Sequence, residues 1–217
     1  MTDSNLTHIY FLLDRSGSMQ SIREDTIGGF DAFIAEQRKT PGACKVTLAQ
    51  FDNEYDEVYA DRNLADVPAL DLQPRGTTAL LDSLGRLIVT AGQRLATLPE
   101  DRRPGSVVVG VMTDGYENAS VDWDHPRIKS LIDQQVRDYQ WQFLYMGADQ
   151  DAIEVGAQMG FKRDKSLTYA RGRSRQAMAA MSSNVAGYRA AKSAGLAEEL
   201  ADARTNFTPE QRDDAAG

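Results

Sequence analysis

The sequence predicts an α/β fold: a doubly wound, mostly parallel six-stranded sheet with one antiparallel edge strand and helices on both faces. Short apolar runs alternate along the chain with longer segments of helical periodicity, and strands that alternate with helices form parallel sheets. The chain has 217 residues and 41% hydrophobic content. This is enough for one domain with a sizeable core, and no obvious linker divides the chain.

The amino-terminal part is predicted to hold three strands and one helix. The first strand covers residues 8–13, an amphipathic helix follows over 21–37, and the second strand covers 45–51. After a turn, the alternation from Tyr55 to Tyr59 predicts a third strand. We expect it to return antiparallel as a short hairpin at the sheet edge.

The middle of the chain predicts two helices around a fourth strand. A helix extends from about Ala79 to Leu98, and Thr78 or a neighbour is expected to be its N-cap. The fourth strand covers 106–113. The next helix, over 126–139, begins with a proline at an early position, where the missing N–H does no harm.

The remaining elements continue the same alternation of strands and helices. A fifth strand covers 141–146 and a short helix covers 152–159. Asp149 and Asp151 lie between them, and we interpret them as caps of the short helix. A weak sixth strand and a final helix rich in Ala and Met complete the prediction, over 166–169 and 174–191.

Residues 1–195 are predicted to form the domain, and 196–217 a polar carboxyl-terminal arm that is a short helix or disordered. The segment from Thr208 to Gln211 has the form of a capping box and could start one helix. The last residues, 213–217, are expected to fray. A docked arm and a disordered tail both remain open at this stage.

Composition limits the partners and the location. The formal net charge of −8 argues against non-specific nucleic-acid binding, and the three arginines of 171–175 are interpreted as a solvated helix entry. The first seven residues lack the layout of a signal peptide, and no apolar run approaches the roughly 20 residues that span a bilayer. We therefore expect a cytoplasmic protein with no membrane contact. Cys44, the single cysteine, agrees with a reducing compartment and is expected to fill the core at the start of a strand.

The most informative segment is Asp14-Arg15-Ser16-Gly17-Ser18, which directly follows the first predicted strand. The crevice outside the carboxyl ends of the strands is where open α/β sheets bind ligands. Two further segments lead to the same edge: a turn that enters a helix, and a buried strand that ends in a carboxylate. These are Gly76-Thr77-Thr78-Ala79-Leu80-Leu81-Asp82 and Val107-Val108-Val109-Gly110-Val111-Met112-Thr113-Asp114-Gly115.

The ligand types in these three loops suit a small, hard cation. Mg²⁺ prefers near-octahedral oxygen coordination and is usually held by one or two carboxylates with other oxygens and waters. Serine and threonine hydroxyls are neutral, so a site with only two anionic ligands keeps an affinity for another carboxylate. Ligand types alone do not distinguish Mg²⁺ from Mn²⁺ or Ca²⁺.

These motifs resemble those of the von Willebrand factor A (vWA) domain, a Rossmann-like fold with a metal ion-dependent adhesion site (MIDAS). The resemblance covers about residues 7–193. It implies that the metal ligands are Asp14, Ser16, Ser18, Thr78 and Asp114; Thr78 is favoured over Thr77 because many bacterial members read Gly-Gly-Thr-Ala-Leu at this loop. It further implies a protein partner that donates an Asp or Glu side chain to the ion, and an adaptor role like that of stand-alone bacterial members.

Residues that flank the metal loops are our predicted partner contacts: Arg15, Met19, Tyr116, Glu117 and Trp123. For Tyr116 and Trp123, aromatic anchors of an interface and packing of the loop onto the domain both remain open. His8 and His125 share no ligand spacing and are interpreted as structural or solvated.

A catalytic role is not required by the sequence. It contains no Gly-x-Ser-x-Gly elbow, no phosphate loop and no nucleophile and base in motif form. The alternative is a Mg²⁺-dependent phosphohydrolase of the haloacid dehalogenase type, which also has an Asp nucleophile after a first strand. That family requires a second Asp two residues further on, and here the position is Ser16.

Overall fold

A mixed sheet of six strands forms the centre of the molecule, for which the computed structural model describes residues 2–217. The strands are β1 (Asp3–Asp14), β2 (Ala43–Phe51), β3 (Tyr55–Asn63), β4 (Pro104–Thr113), β5 (Gln142–Ala148) and β6 (Ser166–Tyr169). Their order is β3-β2-β1-β4-β5-β6; all neighbours pair in parallel except β2 and β3, which form an antiparallel hairpin at one edge. The predicted fold class is confirmed.

In the described part of the chain, α-helices surround the sheet: α1 (Arg23–Gln37), α2 (Leu80–Thr97), α3 (His125–Tyr139), α4 (Ala152–Met159), α5 (Ser174–Ser193), α6 (Glu198–Asp202) and α7 (Pro209–Ala216). Alternate residues of β1 belong to two separate cores. Ile9, Phe11 and Leu13 pack with α1 and α5, whereas Tyr10 and Leu12 pack with α2 and α3. Because residues 9–13 of β1 are buried on both faces, they form a continuous apolar run.

The largest differences from the predicted elements are at the amino ends of the first strand and the first helix. β1 begins at Asp3 instead of residue 8, because the amide of Asp3 donates to the carbonyl of Arg103 at 2.8 Å and Leu6 pairs with Ala43. This part of β1 is polar and partly exposed, so its sequence has no hydrophobic periodicity. The predicted helix over 21–37 starts instead as a 3-10 helix over Gly17–Ile22 that passes into α1.

The N-cap of α2 is Ala79, the neighbour of Thr78, and not Thr78 itself. The methyl side chain of Ala79 cannot accept a hydrogen bond. The orphan amides of the first turn are satisfied instead by the loop after β4: Leu81 N donates to Glu117 Oε2 at 2.9 Å and Asp82 N donates to Ser120 Oγ at 3.0 Å. Because Glu117 and Ser120 are more than 35 residues from the start of α2, the residues next to the helix contain no signal that predicts this cap.

Two of the predicted local caps form, but Asp149 does not cap α4, because its carboxylate accepts from the amide of Arg171 at 3.0 Å instead. Asp151 caps α4 by accepting from Glu154 N at 3.0 Å. The capping box of Thr208 and Gln211 is formed at the start of α7. Cys44 is buried at the start of β2, as expected. None of the helices within residues 2–217 has the length and hydropathy that a bilayer span requires.

The carboxyl-terminal arm is docked against the domain. Phe207 and Ala215 are buried, and the carbonyl of Ala215 accepts from Ala170 N at 2.9 Å, beside β6. On α6, Asp202 Oδ1 lies 2.6 Å from the buried ammonium of Lys165. The helix expected to fray after residue 213 continues to Ala216, because its buried residues contact β6 and α5.

His8 has the structural role left open by the sequence. Its ring is almost completely buried on β1, where it stacks on Tyr10 with ring centroids 4.0 Å apart. Its Nε2 is 2.9 Å from the hydroxyl of Thr47 on β2. The imidazole therefore joins the first two strands.

Burial and, to a smaller extent, the charges of Lys45 and Arg94 together lower the pKa of His8 to about 3. The carboxylate of Asp61, 3.6 Å from Nδ1, favours the charged form but does not offset the loss of hydration. His8 is thus neutral in the folded protein over the whole physiological range of pH.

We predict that His8 makes the fold acid-sensitive. Its folded pKa of about 3 is below its unfolded value of 6.5, so the unfolded chain binds the proton more readily. The stability from neutral His8 is complete above pH 6.5 and is lost as the pH falls toward 3. Between pH 7 and pH 5 this loss is roughly 2 kcal/mol.

Urea unfolding at pH 7 and pH 5 measures this difference. His8→Phe keeps a ring to stack on Tyr10 and should lose less stability than the wild-type chain over this interval, whatever its stability at pH 7. Equal losses for the two proteins would show that another group causes the acid sensitivity.

Candidate metal centre

The candidate site lies at the topological switch point of the sheet. From β1 the chain continues to β2 and β3 on one side, while β4, β5 and β6 lie on the other. Leu13 pairs with Met112, so Asp14 and Asp114 leave the carboxyl ends of neighbouring parallel strands. This is the position at which open α/β sheets bind ligands.

The side chains at this point form a continuous hydrogen-bonded cluster. Ser16 Oγ and Ser18 Oγ are 3.0 Å apart, and Ser18 Oγ donates to Asp114 Oδ1 at 2.5 Å. Asp14 Oδ1 accepts from the amide of Ser16, and its Oδ2 accepts from Thr113 Oγ1, both at 2.6 Å. Asp14, Ser16 and Asp114 are buried and Ser18 is exposed, so the cluster opens to solvent at Ser18.

Thr78 joins this cluster from the second loop. Its amide donates to Asn118 Oδ1 at 2.9 Å, and its carbonyl accepts from Asn118 N at 3.0 Å. Thr78 is buried, whereas Thr77 is exposed. Asn118, which the sequence reasoning missed, therefore fixes the position of the threonine that the resemblance favours.

Gly115 marks the point on which the oxygens converge. A Cβ at this glycine would lie 3.0 Å from Thr78 Oγ1, 3.6 Å from Ser18 Oγ and 3.8 Å from Asp14 Oδ2. These three oxygens come from two different loops, and Ser18 Oγ is bonded to Ser16 and Asp114. All five predicted metal ligands are thus brought together around a space that a larger residue at 115 would fill.

The electrostatics of the cluster also fit a divalent cation. Burial raises the pKa of Asp14 to about 6, although hydrogen bonds from Thr113 and Ser16 lower it. Burial likewise raises the pKa of Asp114, against the lowering effects of Ser18 and Arg171. Two buried carboxylates are costly without a compensating cation.

The donor set matches a hard ion. Asp114 Oδ2 is buried and accepts no hydrogen bond, and the remaining donors are carboxylate and hydroxyl oxygens, which Mg²⁺ prefers. No group of three or more His, Cys, Asp or Glu residues that could hold a metal occurs within 2–217. The site therefore depends on hydroxyl ligands, and its residues fit Mg²⁺ or a similar ion.

An arginine-carboxylate network fixes the first two loops. The buried Asp52, in the β2–β3 turn, accepts from Arg15 Nε at 3.1 Å and from Arg75 Nε at 2.8 Å. Burial would raise the pKa of Asp52, but the bonds from Arg75 and Glu54 N and the charge of Arg15 keep it below its ordinary value. The amide of Arg75 also donates to the carbonyl of Arg15 at 2.7 Å. The sequence predicts only a turn between the second and third strands, with no signal for this network.

The structure changes the expected roles of three predicted partner contacts. Met19 is completely buried in the core, so its prediction as a partner contact is corrected. Arg15 is also buried, and its guanidinium binds Asp52 and Asp56. Glu117 accepts hydrogen bonds at both carboxylate oxygens from Leu81, Ala119 and Ser120. Glu117 therefore caps α2 and stabilises the conformation of the loop after β4.

The other two predicted contacts differ in exposure. Trp123 is half-buried against Gly85 of α2, where a Cβ would collide with the indole, so it packs the loop onto the domain. Tyr116 is 61% exposed and stays a predicted contact. Val121 is 88% exposed in the same loop, and its amide is fixed by Asp82 Oδ2 at 2.8 Å. Sequence reasoning did not identify Val121 as a candidate partner contact, because a single apolar residue in a loop forms no recognisable motif.

No protein-family model matches the sequence, and no curated protein matches it. Solved structures match over most of the chain. Proximal thread matrix protein 1 from the mussel byssus is 15% identical with a TM-score of 0.59, over 86% of this chain and 47% of that one. A von Willebrand factor type A protein from Catenulispora acidiphila is 15% identical with a TM-score of 0.54, over 83% and 43%.

A third match is of similar length to this chain. The vWF domain of the type V pili tip protein Mfa5 from Porphyromonas gingivalis is 10% identical with a TM-score of 0.57, over 82% of this chain and 94% of that one. The first structures matched are longer, and the chain spans a little under half of their length. With the sheet topology, these similarities show that the chain has the fold of vWA domains.

We predict that Gly115→Ala weakens binding of a divalent cation by about tenfold or more, because its methyl group would enter the space between the ligand oxygens. Titration with Mn²⁺ by calorimetry measures the affinity. Gly92→Ala is the matched control, since its Cβ would meet nothing within 4 Å. Unchanged affinity in Gly115→Ala would place any cation elsewhere.

We predict that Glu117→Ala lowers the free energy of unfolding by about 1–3 kcal/mol, because the amide of Leu81 at the start of α2 and the loop amides of Ala119 and Ser120 lose their acceptor. Glu117→Gln keeps one acceptor oxygen and should lose less. Denaturant unfolding measures both, and the neighbouring Tyr116→Ala serves as the surface control. A Glu117→Ala variant as stable as wild type would restore Glu117 as a candidate partner contact.

Proposed function

We propose that this chain is a divalent-cation-dependent protein-binding module. In this proposal Asp14, Ser16, Ser18, Thr78 and Asp114 hold an ion of the Mg²⁺ type, and a partner protein supplies an Asp or Glu side chain to it. The observation that carries the proposal is the convergence of hydroxyl and carboxylate oxygens on the space beside Gly115.

The charges of the site favour an acidic ligand. Two carboxylates neutralise a divalent ion formally, but Ser16, Ser18 and Thr78 contribute no charge of their own. When bound, the ion would supply a hard positive centre that attracts a further carboxylate oxygen. Asp14 and Asp114 would orient it, and the buried floor of the site would exclude water from one side.

The surface around the site is also suited to an acidic partner. Although the whole chain has a net charge of −8, Arg75 and Arg171 are both partly exposed beside the cluster. Tyr116 and Val121 offer apolar surface on the loop after β4. Aromatic and apolar groups near a charged centre are typical of interface anchors.

One structural neighbour supports a metal at this kind of site. A second structure of the mussel byssus protein has a zinc-occupied MIDAS motif; it is 16% identical with a TM-score of 0.55, over 78% of this chain and 42% of that one. This neighbour supports a divalent cation at the site. The choice of Mg²⁺ remains a prediction from the ligand types. The adaptor role remains a prediction from the resemblance to vWA domains. The cytoplasmic location also remains a prediction, and the single cysteine, Cys44, favours it.

The phosphohydrolase alternative has less support from the residues present. Ser16 stands where that family requires its second acid, and a serine hydroxyl cannot serve there as the general acid. Hydrolysis of a generic phosphate ester by wild type, lost in Asp14→Asn, would nevertheless overturn the binding proposal.

We predict that Asp114→Asn weakens Mg²⁺ or Mn²⁺ binding by about a hundredfold while the protein stays folded, since a neutral amide replaces an anionic ligand. Calorimetric titration with circular dichroism checks both quantities. Asp133→Asn is the control, because Asp133 forms its ion pair with Lys129 on the surface of α3. Equal affinity in the two variants would refute the metal site.

Partner capture tests the second half of the proposal. Proteins retained in Mg²⁺ and released by a chelator should no longer be retained by Asp114→Asn, and free aspartate or an Asp-containing peptide should compete with them. Capture that is insensitive to both chelator and variant would contradict a role for the ion in recruitment.

A further inference from the structure

Arg171 reaches the candidate site from a distant part of the chain. It lies in the loop between β6 and α5, two strands away from β4. Its Nη2 is nevertheless 3.5 Å from Asp114 Oδ2 and donates to the carbonyl of Asp114 at 3.4 Å. The run of arginines over 171–175 predicted only a solvated helix entry, whereas Arg171 contacts the carboxylate of Asp114.

A second carboxylate holds Arg171 in place. Asp149, directly after β5, accepts from the amide of Arg171 at 3.0 Å, and its other oxygen lies 3.2 Å from the guanidinium Nε. The amide of Asp149 is itself bonded to Tyr169 at the end of β6, at 3.0 Å. Asp149 thus binds both the amide and the guanidinium of Arg171, while Nη2 of the same guanidinium lies at Asp114.

The contacted oxygen is the one that lacks any other stabilisation. Asp114 Oδ2 is buried and accepts no hydrogen bond, whereas Oδ1 accepts from Ser18. Among residues 2–217, Arg171 is the only cationic side chain within 4.0 Å of the Asp114 carboxylate. A guanidinium is always charged and is weakly hydrated, so it can balance a buried carboxylate at modest cost.

We propose that Arg171 is a built-in counter-cation that competes with the divalent ion for Asp114. This inference rests on the proposed metal site and adds a property to it. Without metal, the guanidinium offsets the charge of the buried carboxylates. The ion must displace the guanidinium from Oδ2 or bind beside a positive charge, and either requirement lowers its affinity.

The loop around Arg171 allows such a displacement. The side chain is 42% exposed, so the guanidinium has solvent on one side. Gly172, the next residue, has a φ of +92° and no atom within 4 Å of its Cβ position. Arg171 can therefore move away from Asp114 without disturbing the core.

The test compares Arg171→Gln with Arg173→Gln in the full chain. Both variants remove one positive charge from the same exposed loop, but Arg173 has its ion pair with Asp214 on the carboxyl-terminal arm, at 4.0 Å. We expect Arg171→Gln to bind Mn²⁺ about tenfold more tightly than wild type and Arg173→Gln to differ by less than about twofold. Arg171→Lys, which keeps the charge, should remain close to wild type.

Thermal unfolding without metal gives an independent readout. Arg171→Gln should unfold at a lower temperature than wild type, because Asp114 then has no cation, and a saturating concentration of Mn²⁺ should remove most of this difference. Arg173→Gln should show no such metal-dependent difference.

The outcomes separate this inference from the proposed function. If wild type binds Mn²⁺ but Arg171→Gln binds it equally or more weakly, the competition is refuted and the metal site stands. Equal tightening in Arg171→Gln and Arg173→Gln would assign the effect to net charge and also refute it. If wild type binds no Mn²⁺, the inference and the proposed metal site fail together.

Discussion

The structure depends on one constraint: two carboxylates, Asp14 and Asp114, are buried side by side at the carboxyl ends of neighbouring parallel strands. Burial raises the pKa of each acid, because the loss of hydration disfavours the charged carboxylate. The surrounding hydroxyls, amides and the Arg171 guanidinium supply part of this compensation. The proposed ion would supply the rest, which explains why the site gathers so many polar groups in one place.

The loops around this pair stabilise one another instead of relying on their own turns. Asp52 joins the loops of Arg15 and Arg75, Asn118 brackets Thr78, and Glu117 caps α2 from the loop after β4. Each bond connects separate segments of the chain. A side chain at the site is therefore held in position before any ligand arrives, which lowers the entropic cost of binding.

The features predicted correctly from sequence are those encoded locally. The apolar strands, the six-strand alternation and the bounds of α4 and β6 follow from periodicity and turn residues, and the cluster of predicted ligands follows from the motifs. The cap of α2, the burial of Met19 and the reach of Arg171 depend on which segments the fold brings together. Arg171 lies in a run of arginines that has the pattern of a solvated surface, and only the position of Asp149 directs it inward.

The most direct measurement of the central claim is anomalous diffraction from crystals of the full chain grown with MnCl₂. The account predicts one strong anomalous peak in the space beside Gly115, within about 2.0–2.4 Å of the oxygens that bind the ion directly. A peak elsewhere, or no peak at saturating Mn²⁺, would contradict it.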